Sequence, residues 1–287
     1  MNFKSVKNVK VQEKIASAVL FSSTVLVVLP VVLILAVIVV KGIGAISWEF
    51  LFSMPRNGMN AGGILPAILG TLYLVAGAIF FALPLGLLTA IYLVEYARDN
   101  FLSRLVKLAI VNLAGVPSVV YGLFGLGIFV TFFHFGASII AGSLTLGIMI
   151  LPVIITASRE ALESVPKSFR VVSLSLGASK WQTIRHSVLP HALPGILTGT
   201  ILGLGRAAGE TAPILFTVAA FYLPKLPTSV FDQTMALPYH LYVISTQVPG
   251  VSEKIRYGTA LVLLFLVLML NLFAIIVRSK FRKRKKW

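Results

Sequence analysis

The 287-residue chain contains no cysteine, which excludes disulfides, thiolate metal sites and iron–sulfur clusters. Histidine is nearly as scarce. The four residues (His134, His186, His191 and His240) are scattered, and His186 and His191 stand five apart around Leu189-Pro190, which spoils helical ligand spacing for a metal. No GxxxxGK[ST] segment occurs, so the chain cannot bind and hydrolyse ATP through a P-loop. No Ser/His, paired-Asp or HExxH constellation falls in its apolar stretches, which argues against an intramembrane enzyme. Acidic residues are also few, nine Asp and Glu against 25 Lys and Arg. Neither a metal nor a cofactor is expected on this chain.

What the chain has in abundance is apolar sequence. It is 57% hydrophobic and 12% charged, and the apolar residues fall in long charge-free blocks. About 20 apolar residues cross the ~30 Å hydrocarbon core as a helix, and a spanning segment must be helical because an isolated strand cannot satisfy its backbone in lipid. Residues 15–40, 63–94, 108–133, 135–158, 192–221 and 257–277 meet this condition. The expected fold is therefore all-α and polytopic, with six transmembrane helices. Six crossings place both termini on one side. That side carries nineteen Lys and Arg, in the leader through Lys14, in 98–107, in 159–185 and after Val277. The other side carries five: Lys41, Arg56, Lys225, Lys254 and Arg256. The positive-inside rule puts the termini and the 159–190 loop in the cytoplasm. The basic tail 278–287 reads as an anchor on anionic lipid, in preference to a nucleic-acid contact. The first apolar run is longer than a signal peptide core and follows a basic leader, so it is expected to stay as a span.

The chain divides into residues 1–63 (leader, first span and external loop), a membrane domain at 64–277, and the tail. Span 1 is uniformly Val/Leu/Ile-rich and is expected at the periphery. Spans 2 to 5 are dense in glycine, which lets helices approach closely in lipid, and Pro84, Pro117 and Pro213 are expected to kink them. The external segment 222–256 carries Pro224, Pro227, Pro238 and Pro249 together with Phe231, Met235, Leu237, Tyr239, Leu241 and Tyr242, a composition that suits a folded, docked surface.

Charge interrupts a span at one place. Arg206 and Glu210 stand four apart, on one face if the segment is helical, and ionised groups at membrane depth usually face a protein interior or a water-filled path. Arg206, Glu210 and Thr211 are candidate path or gate residues, with Asn112, Ser118 and Tyr121 as possible lining. A self-contained helix latch by the Arg206–Glu210 pair stands as the alternative.

The cytoplasmic segment 159–190 is expected to form two short helices meeting at Gly177, the second running through Trp181, Ile184 and Val188 and broken by Pro190. Gly177, eleven further residues and then Leu189-Pro190 resemble the end of the loop signature of binding-protein-dependent ABC importer permeases. Val171-Val172-Ser173 stand where that signature has Glu-Ala-Ala, and Ser187 where it has isoleucine. NLAGVPSVVYGLFGLGIF (112–129) and GLGRAAGETAP (203–213) resemble the phosphate branch of the same family, over roughly residues 64–277. The resemblance implies a type I ABC importer permease fold and a multi-pass protein of a bacterial-type inner membrane. It also implies a loop that docks on a cytoplasmic ATPase through Arg170, Ser173, Gly177, Ala178, Trp181, Leu189 and Pro190. The implied partners are a second permease subunit in a heterodimer, two ATPase subunits carrying ATP and magnesium, an external phosphate-binding protein and membrane lipid, with no nucleic acid. Sulfate or molybdate import and ion-coupled secondary transport are the competing functions.

Overall fold

The computed structural model describes residues 3–283, so the last four residues of the basic tail lie outside the described residues. Twelve α-helical segments follow in chain order among them. α1 (Phe3–Gly42) is the peripheral span: its apolar window is wholly exposed, and it packs along α12 (Glu253–Lys283), with Gly42 against the Tyr257 carbonyl. After the short α2 (Trp48–Phe52), capped by the Ser47 hydroxyl, residues Pro55–Arg56 and Ala61–Gly62 pair as a small antiparallel hairpin that the sequence reading placed in plain loop.

The core is built by α3 (Leu65–Ile91), α6 (Ile139–Glu163) and α9 (Leu189–Gly209). Gly195, Gly199 and Gly203, each four apart and so on one face of α9, lie against Ala161, Ala157 and Ile154 of the antiparallel α6. Small residues on both sides bring the two backbones together, and in lipid such dispersion contact replaces the hydrophobic drive. Leu74, Ala78, Ala82, Leu146, Ile150, Ile154 and Ala207 complete a continuous buried cluster around this contact.

Two expected spans are broken. The 108–133 block is a bent pair, α4 (Phe101–Ala114) and α5 (Ser118–Gly125, continued by a π-helical turn to Phe132), meeting at 106°. Gly115 and Pro117 occupy the bend, and the residue before a proline is steered out of helical geometry. In the second half of α4, Ile110 packs on Leu93 and Ile155, toward the ends of α3 and α6 that meet the knob, whereas Gly125 of α5 reaches Thr145 and Thr217, toward the opposite end of α6. The bent pair therefore makes the sixth crossing. The 192–221 block is the second correction. α9 ends at Gly209, and the chain turns before the short α10 (Ala212–Thr217). Pro213 sits at the start of α10, where its missing N–H is harmless.

The 222–256 segment is folded and docked through Met235, Leu237 and Tyr239, while Phe231 and Tyr242 stay exposed. α11 (Leu237–Thr246) buries Leu237, Pro238, Tyr239, His240, Val243 and Ile244, and the Leu237 amide donates to Thr71 Oγ1 of α3 at 2.8 Å.

Candidate functional site

The first candidate site is the helix break at residues 209–212. Glu210 is not in the helix. It is the C-cap of α9, with extended backbone (ψ 135°), while Arg206 lies in the last helical turn. The pairing expected from spacing is nonetheless present: Arg206 Nε reaches Glu210 Oε1 at 3.5 Å. The contact is long and single. Among the described residues, the two terminal guanidinium nitrogens make no hydrogen bond, and a third of the Arg206 side chain (33%) is exposed against 19% for Glu210. Glu210 is tucked beside Thr71, Ala207, Ile214, Ala236 and Pro238, so the pair lies in the half of the bundle away from the knob, under the docked 222–256 segment, and not at mid-span.

α5 packs on α10, with Gly122 against the Ala212 carbonyl and Pro213. This places Tyr121 in the same buried cluster as Ala207 of α9 and Ile214 of α10. The Tyr121 hydroxyl donates to the Leu113 carbonyl at 2.7 Å, tying the two arms of the bent span together. Thr211 is half-buried in the break. Arg206, Glu210, Thr211 and Tyr121 are thus gathered by one junction. Asn112 stands exposed on α4 and Ser118 is half-buried at the start of α5; neither is hydrogen-bonded to the pair.

The second candidate site is the two-helix knob. α7 (Lys167–Ser175) and α8 (Lys180–Thr183) meet at Gly177, whose φ of +84° is the left-handed conformation expected of a glycine C-cap. α8 opens with a reciprocal capping box between Ser179 and Gln182. Pro190 does not break the second helix. A π-helical turn, Ile184–Val188, carries it into α9, and Pro190 falls in the first turn there, where a missing N–H is tolerated.

Within the knob, Ser173 and Thr183 share a hydrogen bond of 2.9 Å, and Leu189 and Phe169 each pack against the buried cluster that holds Ile184 and Val188. Arg170 points inward: it bonds Glu95 Oε1 at 2.7 Å and also donates to the Leu162 and Val165 carbonyls. Val171, Val172, Leu174, Leu176 and Trp181 are exposed, Leu176 most of all. Gly177 is exposed, while Ala178 and Pro190 are half-buried. An apolar cleft of about 410 Å³ opens between Phe169, Val172, Leu176 and Ala178. The sequence reading missed Glu95, which looks like a charge marking the end of a span and lies 75 residues from its partner.

The structure defines a polytopic helical membrane protein, with a charged helix break at one end of the bundle and an exposed apolar knob at the other. Residues 82–287 match the family described as binding-protein-dependent transport system inner membrane component, and the chain belongs to that family. It is 35% identical over 282 residues to the phosphate transport system permease protein PstA 1 of Mycobacterium tuberculosis, covering 96% of this chain and 91% of the relative. It is also 31% identical to the probable ABC transporter permease protein YqgI of Bacillus subtilis, over 93% and 95% of the two chains. Among solved structures, a chain of a bacterial alginate ABC transporter, in complex with alginate pentasaccharide-bound periplasmic protein, superposes with TM-score 0.67 at 15% identity over 93% of this chain and 94% of that one. A chain of the MetNI methionine ABC transporter gives 0.61 at 16% identity over 76% and 95%. The fold is that of type I ABC importer permeases, and the protein is a multi-pass inner-membrane permease subunit of an ABC importer.

Proposed function

We propose that this chain forms one half of the translocation path for inorganic phosphate, and that its knob receives the motion of a separate ATPase. The observation that supports the first part is the uncommitted guanidinium of Arg206. Its two terminal nitrogens are free of hydrogen bonds to the described residues, while Glu210 holds Nε loosely. Phosphate is small, multiply charged and strongly hydrated, so a dry passage requires a compensating cation. A planar donor fork with permanent charge suits a phosphate oxygen pair. Glu210 accepts a hydrogen bond from a protonated phosphate oxygen, and Thr211 adds a hydroxyl. The phosphate name of several relatives supports the same cargo.

The second part is supported by the exposed apolar rim Val171, Val172, Leu174, Leu176 and Trp181, a surface of the kind that marks a protein contact. Arg170, Ser173 and Leu189 shape the knob from within; Gly177, Ala178 and Trp181 form its outer turn. Two ATPase subunits carrying ATP and magnesium drive transport, a second phosphate-type permease subunit closes the path, and an external phosphate-binding protein delivers cargo. Both termini and the knob are cytoplasmic in this reading.

The test is uptake of radiolabelled phosphate by the complete transporter in vesicles, with sulfate and molybdate as competitors. Phosphate uptake that needs ATP and resists both competitors is the expected result. Competition by either oxyanion at comparable concentration would assign the path to that anion instead.

A further inference from the structure

The knob is attached to the bundle in a specific way. The guanidinium of Arg170 makes four hydrogen bonds that reach two other elements. Two go to Glu95 Oε1, from Nε at 3.0 Å and Nη2 at 2.7 Å. The other two go to the carbonyls of Leu162 and Val165 at 2.9 Å each, at and just beyond the end of α6. Those carbonyls lie at a helix C-terminus, where the Leu162 carbonyl also accepts the Val165 amide at 3.3 Å, and a cation there meets the negative end of the helix dipole. Glu95 is 8% exposed and Arg170 19%, so water screens this pair far less than the surface pairs elsewhere in the chain.

The neighbouring residue supplies a second tether. The Lys180 ammonium of α8 stands over the ring of Tyr96, 4.7 Å from its centroid, a cation–π contact. Glu95 and Tyr96 both belong to the π-helical turn Tyr92–Tyr96 that ends the α3 span. One turn of backbone therefore holds both arms of the knob: α7 through Arg170 and α8 through Lys180.

We propose that Glu95 is a positioning residue, and that the Glu95–Arg170 pair makes the knob move as one body with the inner ends of α3 and α6. The pair converts a push on the knob into a displacement of the two core helices. The inference rests on the knob being the site of ATPase contact. Without the pair, α7 keeps the Ser164–Pro166 turn, the Ser173–Thr183 hydrogen bond and the packing of Phe169, but loses its charged, directional contact with the end of α3, and a push on the knob is passed on less rigidly.

The experiment has two arms, both on the complete transporter reconstituted in lipid. In the first, Leu88→Cys on α3 and Ser175→Cys at the end of α7, both exposed, carry spin labels on a chain that has no other cysteine. Their distance distribution is measured by pulsed electron spin resonance. In the second, ATP hydrolysis and phosphate uptake are measured together, to give uptake per ATP. Glu95→Gln and Arg170→Met are expected to broaden the distance distribution. They should lower uptake per ATP by about tenfold, the scale of one lost charge-assisted contact, with the ATPase still copurifying. The double variant should be no worse than either single one, and the swap Glu95→Arg with Arg170→Glu should recover part of the ratio. An unchanged distance distribution in Glu95→Gln overturns the clamp. A broadened distribution with normal uptake per ATP overturns its role in coupling. If the wild-type chain fails to bind an ATPase, the proposed function fails instead, and the spin-label arm still decides whether the pair fixes the knob.

Discussion

Arg206 and Glu210 are the residues at which a substrate role and a latch role give opposite predictions. Arg206→Lys keeps the charge but loses the fork, so uptake should fall by about tenfold, equivalent to a charge-assisted hydrogen bond of ~1.5 kcal/mol. Arg206→Ala should be worse, because it strands Glu210. The stability loss should stay below the ~3–5 kcal/mol of a fully buried pair, since a third of the Arg206 side chain meets solvent. Combining Arg206→Ala with Glu210→Ala removes both charges. Assembly, followed by size-exclusion chromatography of the purified complex, should then recover while phosphate uptake stays low. Recovery of near-normal uptake in the double variant would sink the substrate role. Gly177 is the other residue whose requirement is sharp. A Cβ there meets open space, so the penalty at φ +84° is backbone strain alone. Gly177→Val should destabilise the turn by ~1–3 kcal/mol, and crosslinks from Trp181 to the ATPase should weaken while membrane insertion is normal.

At the scale of elements, α11 carries a pH dependence of its own. His240 is buried in the docked external segment, and burial lowers its pKa from 6.5 to about 4. The folded state thus holds this imidazole neutral, while the unfolded chain binds a proton below pH 6.5. The stabilisation is complete above pH 6.5 and is lost between about pH 6.5 and 4, at ~1.4 kcal/mol per pH unit. His240→Gln should flatten that limb of the curve when thermal unfolding of the purified complex is followed from pH 7.5 to 4.5; an equally steep loss in the variant would assign it to other groups. The elements also show what sequence can disclose. The spans, the knob and its glycine turn were legible because apolar length, helical periodicity and a left-handed turn are local properties. The ending of α9 at Gly209 was not, because the apolar run continues past Glu210 to Phe221 and reads as one helix. The Pro117 bend was legible as a kink, while its 106° angle depends on how α5 packs on α10. Pro190 misled for a specific reason: a π-helical turn immediately before it absorbs the proline that was expected to end the helix.

The whole molecule adds a constraint on sidedness that no single element carries. Contacts sort its polar segments into two groups. Glu95 and Tyr96 bond to Arg170 and Lys180, which joins the end of α3 to the knob. At the other end, Lys41 pairs with Glu253 at 3.2 Å and the Tyr222 hydroxyl donates to the Pro55 carbonyl, which joins 41–56 to 222–253. These are the two groups into which the basic residues divide, nineteen on the knob side and five on the other. The grouping comes from packing and the charge bias from residue counts, so they are independent, and together they leave orientation as one binary choice. Positive charge resists translocation, so the proposed orientation has the knob side in the cytoplasm. A reporter joined after Trp287 should therefore be active only in its cytoplasmic form, and one inserted at Pro227 only in its external form. Because the Glu95–Arg170 contact ties the 92–107 turn to the knob, a third reporter inserted at Asn100 must agree with the one after Trp287. An external signal from both would invert the whole molecule and leave the knob unable to reach a cytoplasmic ATPase. A split between them would mean that the bent pair α4–α5 does not cross, and that the chain has five spans instead of six.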